Sequence, residues 1–489
     1  MSEQTPATNN SGPKPWYMRI GPGLITACVV IGPGSVTTSS QIGAGNGYSM
    51  LWIVLVSVAF MMMFMSLGAR LGAVAAEAPC DLIRRKSGKG LSIAVGIGVF
   101  FISAAFQSGN NIGVAAAFKA FVPDKYVVST LIVLFNVLAI SFLYVFKDMY
   151  RTLEKLMTVF VGLMLLSFAI NLISLKPSIG DMLAGFIPSL PAAQEENDKA
   201  EGATGQTAED NQASEEDTSA KGDATDARKA DGQADQMLTL LGLVGTTFVI
   251  TAAFYQAYLV RQKGWKAEDL KDGLLDARIG SIIMFLITMM LMATAAAAFH
   301  GKGEAVSLKD PVEIATALQS TFGAGAKVIF CLGLFSAAYS SFLVNSMIGG
   351  FMASDGLGLG SQPTDRGPRM MTTLALVTGM LVGVAVELFD FNRAPTIIAA
   401  QAVTVIAAPL VAAVLLWLTS SRDVMGDHIN GRGTIVFGIV GLIMLVAMAG
   451  KVAFVDIPKK VDKYMNPEVA EVQADQPEQG DDSNESEDG

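Results

Sequence analysis

Histidine, cysteine and charge within apolar stretches are what this chain has least of. It carries two histidines, His300 and His428, and three cysteines, Cys28, Cys80 and Cys331, in 489 residues. Three cysteines make no disulfide framework, and Cys28 and Cys331 fall inside apolar runs, where packing is the expected role. No Walker loop, zinc motif or Ser/His/Asp set is present. An ATP-driven pump and a membrane hydrolase are therefore unsupported, and no enzymatic activity or cofactor is expected. Met1 to Pro15 is polar and bears glycine and proline rather than a cleavage signal, so the first apolar run should act as its own insertion signal.

What is present is hydrocarbon. Hydrophobic residues make up 51% of the chain and charged ones 16%, with a mean hydropathy of +0.46. That composition reads as a polytopic membrane protein. The net charge of −10 is unevenly placed: Gln194 to Asp235 holds thirteen acidic against four basic residues, and Val461 to Gly489 ten against one. The rest of the chain is basic. The two acidic stretches read as disordered solvating segments.

Runs long enough to cross a bilayer, at ~20 residues each, lie near Ile20–Thr38, Leu51–Ala69, Leu91–Phe121, Val127–Phe146 and Leu156–Ile173. After the acidic insert come Leu238–Val260, Ile279–Phe299, Val328–Met352, Met370–Leu388, Ala394–Leu418 and Ile435–Phe454, eleven in all. Alternate connections are basic, including Arg84, Arg85, Lys86 and Lys89, then Lys147, Arg151 and Lys155, then Arg366 and Arg369. By the positive-inside rule these face the cytoplasm, with the N-terminus inside and the acidic tail outside. Eleven segments suggest two five-helix inverted repeats and one further helix, a plan in which segments one and six are discontinuous and face each other.

The first segment shows such a break in its residues. Gly32-Pro33-Gly34 stands where a spanning helix would continue, and glycine and proline both disfavour the helix. Freed backbone groups are too costly to face lipid, so the break should line a polar cavity, the usual place for a transported substrate. Segment six offers Gly242, Gly245 and Thr246-Thr247 but no proline, so a plain helix with glycines for close packing stays open there.

Within the eleven runs the only ionisable residues of the Asp, Glu, Lys, Arg and His types are Lys119, Glu387 and Lys451. Each is near an end, where snorkelling accounts for it. Proton-coupled carriers need intramembrane groups that titrate, so proton coupling is disfavoured. The polar groups present are hydroxyls and amides: Ser35, Thr37 and Thr38; Gln107, Asn110 and Asn111; Thr246, Thr247, Thr251, Tyr255 and Gln256; Ser340, Ser341 and Asn345; and Gln401. Singly, each is accounted for by an interhelical hydrogen bond. As a set they form a neutral, oxygen-rich lining that suits a cation retaining its water, as Mg²⁺ does. Soft metals would want sulfur or imidazole.

These residues resemble the Nramp divalent-metal transporters. The first segment is similar to the family's GPG…DPGN start but reads GPG…GPGS, followed by Gln41, Gly43, Tyr48 to Trp52 and Ala69-Arg70-Leu71-Gly72. Leu332–Ser341 is similar to the family's segment eight, and Gln401, Ala408-Pro409-Leu410 and Leu418–Arg432 to its segment ten and following loop. The resemblance implies the LeuT-like inverted-repeat fold. It also places the departures: Gly32 and Ser35 stand where the family has its metal-binding Asp and Asn. Val249 and Thr251 stand for the Met and His of its Met-Pro-His, Gln256 for a second His, and Gln107 and Asn110 for an acidic pair linked to proton movement. This pattern resembles the family's magnesium-transporter clade, which implies Mg²⁺ import with Mn²⁺ tolerated.

The expected protein is thus a monomeric prokaryotic plasma-membrane Mg²⁺ importer, driven by membrane potential, with the lipid bilayer as surroundings and no nucleic-acid partner. Gly32, Ser35, Thr246 and Gln401 would hold the largely hydrated ion, and Pro33, Gly34, Thr37, Thr247, Val249, Thr251 and Gln256 would line the pocket. Its expected regions are a cytoplasmic tail (1–15), first repeat (16–175), acidic insert (176–237), second repeat (238–420), loop with segment eleven (421–456) and acidic tail (457–489). A proton-coupled Mn²⁺/Fe²⁺ importer, an amino-acid carrier on the same fold and a non-transporting Mg²⁺ sensor are the competing readings.

Overall fold

In hydrocarbon every backbone amide and carbonyl needs a partner inside the protein, so an apolar run of spanning length becomes a helix. The computed structural model describes residues 20–146, 148–188, 244, 247–301, 311–389, 391, 393–451 and 453–454, with only the backbone for 320–322 and 393–406. The first half contains α1 (Pro22–Val30), α2 (Pro33–Asn46), α3 (Leu51–Val74), α4 (Pro79–Ser87), α5 (Lys89–Lys119), α6 (Lys125–Val145), α7 (Met149–Ser174) and α8 (Ile179–Ala184). The second half contains α9 (Ile250–Lys263), α10 (Leu270–Phe299), α11 (Pro311–Phe322), α12 (Ala324–Leu357), α13 (Arg366–Leu388), α14 (Arg393–Ser420), α15 (Arg422–Met425) and α16 (Arg432–Lys451).

Each apolar segment has its helix, the first being α1 and α2 together, bent by 59°. Among the described residues, α3, α5, α6, α7, α10, α12, α13 and α16 are each long and apolar enough to span a membrane. Every residue of α1 is buried, so this short helix runs through the interior rather than along the lipid. It packs against α7, α9, α10 and α12, while α5 and α12 lie along each other. Small residues permit that approach: a Cβ on Gly96 would meet the backbone of Met352 and Gly356 on α12.

Two expectations are corrected here. Segment seven begins at Leu270 rather than Ile279, because its charged first turns are helical too, and it carries a fully buried carboxylate, Asp276, into the bundle. The snorkelling reading of Lys119 and Glu387 also fails. Their charged ends pair at 2.6 Å across α5 and α13, with the Glu387 side chain 1% exposed and that of Lys119 20% exposed. A desolvated carboxylate needs a partner more than it needs the surface. Glu387→Ala is expected to cost only ~1–2 kcal/mol, less than a fully buried pair, because Lys119 can rehydrate. Thermal unfolding of the purified protein in detergent checks this, and Lys119→Met with Glu387→Leu should recover most of the loss. Of the acidic insert, residues 176–188 include α8, where Gly185 accepts from the Trp52 N–H at 3.0 Å; residues 189–237 and the acidic tail lie outside the described residues.

Candidate metal site at the helix break

The break follows from hydrogen-bond accounting. In a continuous helix the Val29 carbonyl would receive the amide of residue 33, which as proline has none, and the Val30 carbonyl that of Gly34. Ile31 ends α1 with its N–H on the Ala27 carbonyl, Gly32 is extended at φ −105° and ψ −179°, and Pro33 opens α2. Hydroxyls take over the two carbonyls. Ser341 on α12 donates to Val29 at 3.1 Å, and Ser35 donates to Val30 at 2.6 Å. Pro33 in turn seats on Gly113 of α5, where a Cβ would collide with its ring.

The open side of Gly32 is faced by two polar groups. A Cβ built there would lie 3.2 Å from Ser341 Oγ and 3.4 Å from Asn110 Oδ1. Asn110 Oδ1 accepts no hydrogen bond from a described residue, and its amide nitrogen reaches Gln107 Oε1 only at 3.5 Å. The proton of Ser341 is committed to a carbonyl, and so is that of Ser35. Their oxygens therefore meet anything else as lone-pair donors. One turn along α12 from Ser341, Asn345 Oδ1 is likewise buried without a donor. Among the described residues no group of three or more His, Cys, Asp or Glu could hold a metal. The arrangement offers neutral oxygens only.

Segment six is interrupted at Phe248 and Val249. Thr247 is still helical, Phe248 and Val249 are not, and α9 starts at Ile250 with Val249 as its cap at φ −83° and ψ 84°. Phe248 fixes the gap by packing its ring 5.3 Å from that of Phe64. The hydroxyls of Thr247 and Thr251, on either side, are buried without partners among the described residues. A buried polar atom left so costs ~1–3 kcal/mol, which suits a place completed by a hydrated ion.

The expected residues divide accordingly. Gly32, Pro33, Gly34 and Ser35 form the first break, and Val249 with the Thr247 and Thr251 hydroxyls flanks the second. Thr246 and the side chain of Gln401 lie outside the described residues. Thr37 turns its hydroxyl back to the Pro33 carbonyl at 2.9 Å, a local helix bond. Gln256 is corrected: it hydrogen-bonds Thr26 and lies 3.3 Å from Asp276 Oδ2, at the far end of α1 from Gly32. Turning its amide over points it at Pro22 and Gly23, still on that first turn. Asn110, read as standing where the family has an acid linked to proton movement, lies beside Gly32. Ser341 stood in the sequence only as one polar group among many; its i, i+4 spacing from Asn345 was the available signal.

Far from the break, Asp276 Oδ1 accepts from the Gly21 N–H at 2.7 Å and Oδ2 from the Gly23 N–H at 2.6 Å. Lys263 donates to the Ile20 carbonyl at 2.7 Å and pairs with Glu154 at 2.8 Å. The start of α1 is thereby tied to α7, α9 and α10.

A family model described as natural resistance-associated macrophage protein-like matches residues 23–454. The chain belongs to the Nramp family. This Nramp protein is 26% identical over 424 residues to a divalent metal cation transporter MntH of Verminephrobacter eiseniae, covering 84% of this chain and 83% of that one. It is 22% identical over 444 residues to the MntH of Deinococcus radiodurans, with 88% of each chain covered. A solved variant of the Eremococcus coleocola manganese transporter matches in fold with a TM-score of 0.70 at 17% identity, over 96% of this chain and 90% of that one. MhsT in complex with L-phenylalanine matches more loosely, with a TM-score of 0.54 at 12% identity over 90% of this chain and all of that one. The architecture is the LeuT-like inverted-repeat fold with an added eleventh helix.

Proposed function

We propose that this Nramp-family protein is a membrane transporter of divalent metal cations, not an enzyme, and that Mg²⁺ is its cargo. The observation that carries the Mg²⁺ reading is the break at Gly32, faced by Asn110 Oδ1 and Ser341 Oγ and by no carboxylate, thiolate or imidazole among the described residues. Neutral oxygens at that spacing hold an ion through its retained water rather than strip it, and Mg²⁺ gives up water reluctantly. Ser35 and the carbonyl of Gly32 complete the near side, with Thr246 and Gln401 as further oxygen donors. The manganese reading is favoured by the relatives, whose names give divalent metals and manganese.

Entry of two positive charges would be driven by membrane potential, worth ~4.6 kcal/mol per 100 mV. The basic connections support a cytoplasmic N-terminus, and the chain is proposed to act as a monomer in a bacterial cell membrane. Buried carboxylates qualify the argument against proton coupling: Asp276 sits inside the bundle at the opposite end of α1 from the break, and Asp355 and Glu387 are buried on other helices. A flux assay in liposomes decides between the readings. Mg²⁺ uptake without lumenal acidification, inhibited weakly by Mn²⁺, is expected. Mn²⁺ uptake that acidifies the lumen in step, with no Mg²⁺ flux, would establish the manganese reading; amino-acid uptake indifferent to metal, or Mg²⁺ binding without flux, would remove both.

A further inference from the structure

Away from the break, a cavity of about 610 Å³ opens between the end of α6 and the start of α13, lined by Tyr144, Leu359, Arg366, Gly367, Arg369 and Met370. We propose that it binds the headgroup of an anionic phospholipid. Both α6 and α13 are of spanning length. Tyr144 lies in the last turn of one and Arg366 opens the other, so the cavity sits where hydrocarbon gives way to water.

Of the two cationic groups, Arg369 is held in place. Arg369 donates from Nε to the Pro363 carbonyl at 2.9 Å, and its guanidinium lies 5.9 Å over the Tyr144 ring. That ring is fixed by its hydroxyl, 3.3 Å from Thr373 Oγ1. Arg369 is half-buried and Arg366 exposed. Neither forms an ion pair with a described carboxylate. The nearby acid, Asp365, spends Oδ2 on the Gln362 N–H at 2.9 Å. Guanidinium forks match phosphate oxygens, and a buried stem beside an aromatic face positions the fork at little entropic cost.

Below the cavity the surface is apolar in two matching stripes. Met370, Leu374 and Leu381 follow one another on α13, and Tyr144, Val137 and Val133 on α6, all of them exposed. The spacing of each set places it on one helix face. Such paired stripes running from a cationic head pocket have the form of a glycerophospholipid with its acyl chains alongside. A soluble phosphate would use the arginines and leave the stripes without purpose. The same end of the bundle carries the other basic connections, which concentrates anionic lipid around it.

Native mass spectrometry of the full-length protein in detergent tests the site, with phosphatidylglycerol, phosphatidylcholine and inorganic phosphate added separately. Retention of phosphatidylglycerol over phosphatidylcholine is expected, falling by about fivefold for each arginine removed in Arg366→Ala and Arg366→Ala/Arg369→Ala. Arg151→Ala/Lys155→Ala, exposed bases at the same end, should leave the preference intact. Should the double variant not fold, Arg366→Gln alone carries the test, since that side chain is exposed and makes no described ion pair. Equal retention of the two lipids overturns the proposal, as does equal loss in both pairs of variants, which would mean diffuse charge. Competition by inorganic phosphate as effective as that by the lipid would make this an anion site and overturn the lipid assignment.

Discussion

Gly32→Asp is expected to raise Mn²⁺ affinity at least tenfold, about 1.4 kcal/mol, and to reduce the preference for Mg²⁺. The backbone at Gly32 is extended at φ −105°, so an L-residue fits without strain. The new Cβ would stand 3.2 Å from Ser341 Oγ and 3.4 Å from Asn110 Oδ1, both side-chain ends that can shift by tenths of an ångström. Its carboxylate would enter the first shell of any ion at the break and replace retained water by charge, which favours an ion that dehydrates readily over Mg²⁺. The same charge is unpaired in the metal-free protein, where burying it costs several kcal/mol. The variant should therefore melt lower than wild type without metal and recover when Mn²⁺ is added, as binding to the native state alone requires. Calorimetric titration and thermal unfolding with each ion read both effects. Gly32→Asn supplies the bulk without the charge and should show neither. A monodisperse Gly32→Asp protein whose Mn²⁺ affinity is unchanged would remove Gly32 from the metal site.

How much of this the sequence disclosed depended on whether the information was local. The break at Gly32 was legible because proline and glycine act on their own backbone wherever they stand, and the eleven helices because bilayer thickness fixes their length. The second break stood in the sequence only as an open alternative to a plain helix. Its position at Phe248 and Val249 depends on a ring contact with Phe64 on another helix, which no local propensity records. Asn110 and Ser341 were visible only as polar residues in apolar runs. Their approach to Gly32 is a product of how α5 and α12 close around α1. Lys119 and Glu387, 268 residues apart, were each explained separately by snorkelling, and only packing makes them a pair. Asp276 was missed for a different reason. Hydropathy starts the segment at Ile279, whereas the helix starts wherever its amides and carbonyls are satisfied, and that includes a turn with a buried carboxylate.

That carboxylate carries the second large expected effect. Asp276→Ala is expected to cost about 3–5 kcal/mol and to loosen α1, because the N–H groups of Gly21 and Gly23 lose their acceptor while remaining buried, at ~1–3 kcal/mol each, and a charge-assisted cap on the helix start goes with them. Substitution is partial at best: a turned-over Gln256 amide oxygen could take the Gly23 N–H at 3.2 Å, but a Cβ on Gly23 would already meet the Asp276 backbone, so the helices touch too closely to admit another side chain. The remaining tie at that end, Lys263 to the Ile20 carbonyl and Glu154, holds only a residue two positions before α1. Cys28 supplies an internal reporter. It is fully buried in α1, its thiol directed at the Met157 carbonyl of α7 at 3.8 Å. With Cys80 and Cys331 replaced by alanine, maleimide labelling of Cys28 should be slow in the parent and at least tenfold faster in Asp276→Ala. Asp276→Asn keeps one carbonyl oxygen for one of the two amides and should fall between them. Loss of stability without faster labelling would make Asp276 a packing residue alone. Faster labelling graded from Ala to Asn makes its two hydrogen bonds the latch that keeps the half-helix leading to the break in place.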